Sequence, residues 1–124
     1  MTGWEQRAAE AEAIASEAGS PDVDARLLSL LLDPHDSAVS QAAADALLAR
    51  ADAAGLRLYA SAFGQGSEDT RTKLADCLYD DAGERWGLVE RLLPGLANNA
   101  DPQVRQGSEL VRQHMAVESA EHQK

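Results

Sequence analysis

One pattern of apolar residues recurs along this chain and leaves few folds open to it. Aligning Val39 with Thr70 and Val104, at spacings of 31 and 34 residues, brings the flanking apolar positions into register. Eleven residues upstream stand Leu28, Tyr59 and Leu93, and eight upstream stand Leu31, Ala62 and Leu96. Four residues downstream come Ala43, Leu74 and Ser108, and seven downstream come Ala46, Cys77 and Val111. Offsets of three, four and seven residues select one face of a helix. Two amphipathic helices per unit, repeated at this period, predict a helical solenoid in which each unit buries its apolar face against a neighbour.

Local composition agrees. Alanine fills 24 of 124 positions and β-branched residues are scarce, which favours helix and leaves no stretch that reads as a strand. Gly19-Ser20-Pro21, Asp33-Pro34, Gly55, Gly64-Gln65-Gly66, Gly83 and Asp101-Pro102 punctuate the chain into about seven helices. Asp33 and Asp36 read as a helix stop and the N-cap of the next helix. Gly64–Ser67 reads as a turn with Ser67 as N-cap. A helix over 4–18 carries Trp4, Ala8, Ala11, Ile14, Ala15 and Ala18 on one stripe, as a capping helix should. The expected organisation is a capping helix in 1–19, a repeat domain in 22–116 and a disordered tail in 117–124, after Met115.

The stretch "LLPGLANNADPQVRQGSELVRQH", residues 92–114, resembles a HEAT repeat, whose first helix ends near Asp-Pro and whose second opens on Val-Arg. "LLSLLLDPHDSAVSQAAADAL" resembles another, with Ser40 where that family favours Arg. The middle unit, "LRLYASAFGQGSEDTRTKLADCL", keeps Arg71 but has Thr70 in place of Val and no Pro. This resemblance covers roughly residues 22–115. It implies an all-α fold, a short right-handed α-solenoid of about three helix pairs, with the second helices lining a concave side.

Charge narrows the partners. Eleven Lys and Arg against 21 Asp and Glu give a formal charge of −10 and a pI near 4.6, a surface that repels nucleic-acid phosphates and anionic lipids. No apolar run reaches membrane-spanning length, and Glu5, Glu10, Glu12 and Glu17 interrupt any secretory h-region. Cys77 is the single cysteine, so no disulfide framework forms within one chain. These features predict a cytoplasmic protein.

Residues suited to catalysis do not converge. His35, His114 and His122 form no metal-binding pair and read as surface residues; Cys77 lies on an apolar stripe with Leu74 and Leu78 and reads as a buried small hydrophobe. Gly64-Gln65-Gly66-Ser67 follows a helix, lacks a Lys and precedes Glu68 and Asp69, unlike a phosphate loop. No catalytic residue, metal or cofactor is expected, and Trp86 is expected to pack in the core.

The helix beginning near Val39 has a core stripe through Val39, Ala43, Ala46, Leu47 and Arg50, so its opposite face carries Gln41, Asp45, Leu48 and Asp52. The repeat register transfers that face to Thr72, Asp76 and Tyr79, and then to Gln106, Leu110 and Gln113. Asp80, Asp81 and Glu84 extend it at one end. The expectation is an acidic groove with an exposed aromatic, suited to a basic protein partner. An inhibitor or immunity protein covering a basic toxin or nuclease would look like this, and so would an adaptor or assembly factor. A subunit of a cofactor-dependent enzyme and self-association through the end faces are the other classes, the latter giving a monomer or weak homodimer.

Overall fold

A computed structural model describes residues 3–33, 36–79 and 83–122, the last four without their side chains. Among the described residues there is no β-strand, and seven α-helices succeed one another. They are α1 (Gly3–Ile14), α2 (Pro21–Leu31), α3 (Ser37–Ala49), α4 (Ala53–Gln65), α5 (Glu68–Asp76), α6 (Glu84–Leu92) and α7 (Pro102–His122). Short 3-10 turns follow α1 at Ala15–Glu17 and α6 at Leu93–Leu96. In the second of these, Pro94 has no N–H to offer an α-helical bond, so the α-helix ends and the tighter turn carries Leu93 and Leu96 inward.

Side-chain caps start four of the helices, two of them, at Asp36 and Ser67, where the spacing predicts. The Asp36 carboxylate accepts from Ala38 N at 3.0 Å and the Ser67 hydroxyl from Thr70 N at 3.3 Å. Asp52 accepts from Gly55 N at 3.0 Å, and Asp101 accepts from Gln103 N at 2.9 Å beside Pro102. Each cap satisfies a donor that the first helical turn leaves unpaired.

Every position in the repeat register is buried or half-buried. α2 packs beside α3 and α4, and α3 beside α4 and α5. α4 is central: Leu58, Tyr59, Ala60, Ser61, Ala62 and Phe63 are all buried, a run longer than a one-sided stripe allows, so the second half of this helix is covered all round. Its most extensive partner is α7. That crossing is close because glycines face it. A Cβ on Gly64 would lie 2.7 Å from the Gln103 carbonyl oxygen and 3.0 Å from Gly107 N. Gly55 plays a similar part at the start of α4, where a Cβ would meet the Leu47 carbonyl oxygen at 2.3 Å. Both glycines, expected as breaks between helices, therefore lie within α4, where the absence of a side chain serves packing.

Two further expectations are corrected. Trp4 is exposed, while Ala11 and Ala15 carry the burial of the N-terminal segment, because α1 docks on α3 through its C-terminal half, where small residues permit close approach. The chain also continues as helix past Met115 to His122, with Gln123 and Lys124 outside the described residues: Ala and Glu are strong helix formers, and extending a nucleated helix adds one hydrogen bond per residue. Arg26 clamps Glu10 of α1 with two hydrogen bonds of 2.6 and 2.7 Å, Arg7 reaches Asp33 at 3.0 Å, and Arg50 donates to the Ala15 carbonyl at 2.7 Å.

Candidate protein-binding groove

α5 and α7 both lean on α4 without closing on each other. The Tyr59 hydroxyl, buried on α4, donates to the Leu74 carbonyl at 2.6 Å and so fixes α5, while the glycine crossing fixes α7. Burial drives the Tyr59 phenol pKa well above its ordinary value, so it remains a donor. Between the two helices runs a groove of about 460 Å³ with Phe63 of α4 among its lining residues. α5 lines it with Glu68, Arg71, Thr72 and Asp76; α7 lines it with Leu110, Gln113, His114, Val117 and Glu118. The spacings of four along α5 and of three and four along α7 put each set on one helix face.

Two features of this groove are electrostatic. Among the described residues, neither Glu68 nor Asp76 has a cationic side chain within 4.0 Å. Arg71 Nε and His114 Nε2 are buried and make no hydrogen bond. Both residues were passed over as site candidates in the sequence reading, Arg71 as part of a repeat motif and His114 as a surface residue. The signal that links them is positional: His114 is one turn beyond Leu110, and Arg71 is adjacent to Thr72.

The residues expected to form one acidic line are distributed differently. Thr72, Asp76 and Gln113 line the groove together with Leu110. Gln106 is exposed on α7 outside it, and Gln41 is half-buried on α3 with its backbone carbonyl 3.8 Å from Cys77 Sγ. Asp45 is exposed but bonded to Arg85 at 2.7 Å; the same guanidinium also donates to the Cys77 carbonyl at 3.1 Å. Asp52 serves as the N-cap of α4 and is bridged by Arg50 at 3.0 Å. Tyr79 is 47% exposed, and its ring lies 5.4 Å from that of the half-buried Trp86, outside the groove. Asp80 and Asp81 lie outside the described residues, and Glu84 borders a separate depression between α3 and α6.

Leu48 is corrected outright. It is 3% exposed, because α6 covers the face of α3 that a single-stripe reading leaves to solvent: Leu88, Val89 and Leu92 enclose it together with Leu56.

The chemistry available elsewhere is limited. Burial, with the Asp45 carboxylate adding to it, pushes the Cys77 thiol pKa up to about 12, which keeps it protonated at neutral pH. Among the described residues no three His, Cys, Asp or Glu side chains gather as metal ligands. No helix among them is long and apolar enough to cross a membrane. No protein-family model, curated protein or solved structure matches the chain.

Proposed function

We propose that this chain is a non-enzymatic protein-binding module, built from HEAT-like helix pairs, that receives a basic and partly apolar surface of a partner protein in the α5–α7 groove. The observation that carries the reading is the composition of that groove. Leu110 and Val117 offer apolar contact over the buried Phe63, while among the described residues neither Glu68 nor Asp76 is held in an ion pair, though Arg71 lines the same groove. Support for the helix-pair architecture comes from the burial of the repeat register and from the neighbour relations of α2 with α4 and of α3 with α5.

Binding of this kind draws on two physical terms. The groove is held by two rigid anchors on α4, so little conformational entropy is lost on association. Carboxylates facing a basic partner accelerate encounter and disfavour acidic competitors. Covering the basic site of a toxin or nuclease would make the module an inhibitor or immunity protein; holding a basic subunit for assembly would make it an adaptor.

The test is affinity capture from the source cells with wild type and with the Glu68→Lys/Asp76→Lys double variant. A basic protein held by wild type, released by added salt and lost by the variant at unchanged helicity supports the reading. Identical recovery on both baits, or recovery insensitive to salt, refutes it.

A further inference from the structure

Pro94 ends α6, and the 3-10 turn that follows packs on α7 more closely than α6 does. A pocket of about 420 Å³ opens between the turn and α7, a volume within the range of small-molecule sites. Small residues keep it open: Ala97 follows the turn, and Ser108 and Ala116 line the pocket from α7. Leu93 and Met115, 6% and 5% exposed, lie deepest in it, with Pro94 exposed at its edge. None of the residues lining this pocket lines the α5–α7 groove.

The charged groups around it are unevenly engaged. Glu109 grips the Arg112 guanidinium through both carboxylate oxygens, one bond measuring 2.9 Å, so that cation is already answered within α7. Glu90, exposed on α6, has no ion pair among the described residues. A wholly apolar molecule filling the pocket would take water from the Glu90 carboxylate and return nothing, which is costly for a charged group. An anion would meet Glu90 and find Arg112 occupied. The occupant that suits both the apolar lining and the free carboxylate has an apolar body and one cationic group.

We propose that this pocket binds a small amphipathic amine, its apolar body against Leu93, Ala97 and Met115 and its ammonium paired with Glu90. The inference goes beyond the protein-binding reading and stands or falls apart from it, because the two sites share no residue.

The experiment uses the whole chain with its methionine methyl groups labelled with 13C. Met1 and Met115 are the two methionines, so the spectrum holds two methyl signals, and a Met115→Leu variant assigns them. The probes are naphthylmethylamine, naphthalenemethanol and naphthoate, which share an aromatic body and differ in charge at neutral pH. The ring current of a bound naphthyl group displaces the signal of a methyl beside it. The amine is expected to shift the Met115 signal saturably, the alcohol to bind about tenfold more weakly, and naphthoate to leave the signal in place. Glu90→Gln is expected to weaken binding of the amine about tenfold and to leave that of the alcohol unchanged. Ala116→Phe, at an exposed helical position, is expected to fill the pocket and abolish the shift at unchanged helicity. A Met115 signal that stays fixed up to about ten millimolar amine, a shift retained in Ala116→Phe, or an affinity for the amine that Glu90→Gln leaves unchanged overturns the inference. A Met115 signal that moves with protein concentration in the absence of any probe makes a second copy of the chain the occupant, and overturns it too.

Discussion

Gly107 of α7 lies so close to Ala60 of α4 that a Cβ placed on the glycine would sit 1.6 Å from the Ala60 carbonyl oxygen. The obstacle is backbone rather than a flexible side-chain end, so one helix must retreat to admit a methyl group. Because this crossing is the largest helix contact and sets where α7 stands, Gly107→Ala is expected to cost about 3 kcal/mol or more, at the upper end of overpacking effects. Gly95 has open space around it, and Gly95→Ala is expected to change stability by less than about 1 kcal/mol. Urea denaturation of both variants checks the contrast.

Ala51, between α3 and α4, has φ of +60° although it is not glycine. A left-handed backbone costs an L-residue with a Cβ about 1–2 kcal/mol, of which glycine recovers most at some expense in chain entropy. Ala51→Gly should therefore raise stability by about 0.5–1 kcal/mol, read as a higher Tm.

Asp52 links pH to the same junction. The Arg50 guanidinium, and after it the Gly55 N–H, hold the Asp52 carboxyl below the usual carboxylate range. A depressed folded pKa makes its contribution present above the unfolded value of about 4 and lost as pH falls through the lower folded value. Asp52→Ala is expected to cost about 1 kcal/mol at pH 7, mostly for the cap, with Asp52→Asn costing less. The difference from wild type should shrink as pH falls below the ordinary carboxylate range. Denaturation at pH 7 and at low pH separates these outcomes.

Cys77 supplies a kinetic readout of packing. With its thiol pushed up to about 12, roughly one molecule in ten thousand carries the thiolate at pH 8. Labelling by a thiol reagent is expected to be at least about 100-fold slower in the native protein than in denaturant. The raised value also means that this group favours the folded state below about pH 8.5, and that its contribution declines as pH rises. Equal labelling rates in the two states would contradict the burial.

Much of the local structure was legible in the sequence. Capping residues act over three or four positions, so Asp36 and Ser67 announce their helices without reference to the rest of the fold. Burial at the register positions follows from helical periodicity alone, and so does the burial of Cys77. Tertiary contacts were harder to read. Local propensity makes Gly64 a breaker, whereas its lack of a side chain is used by α7, a helix that begins 38 residues later. A helical wheel gives Leu48 one outward face, and only the arrival of α6 removes that face from water. Thr72, Asp76 and Gln113 share a groove because one face per helix was transferred by a constant shift. Asp45 on α3 and Asp52 at the start of α4 lie away from that groove, and Arg85 and Arg50, invisible to the shift, pair with them. Arg71 and His114 stand out only once packing shows which of their nitrogens are buried and unpaired.

The central claim is that the partner sits between α5 and α7. Site-specific photocrosslinking in the source cells tests it directly, with a benzophenone amino acid placed at Thr72 inside the groove or at Gln106 on the same protein outside it; both positions are exposed. A discrete crosslinked protein from position 72, absent from position 106 and suppressed by Glu68→Lys/Asp76→Lys, is the predicted result. Crosslinks from position 106 and none from position 72 would contradict it.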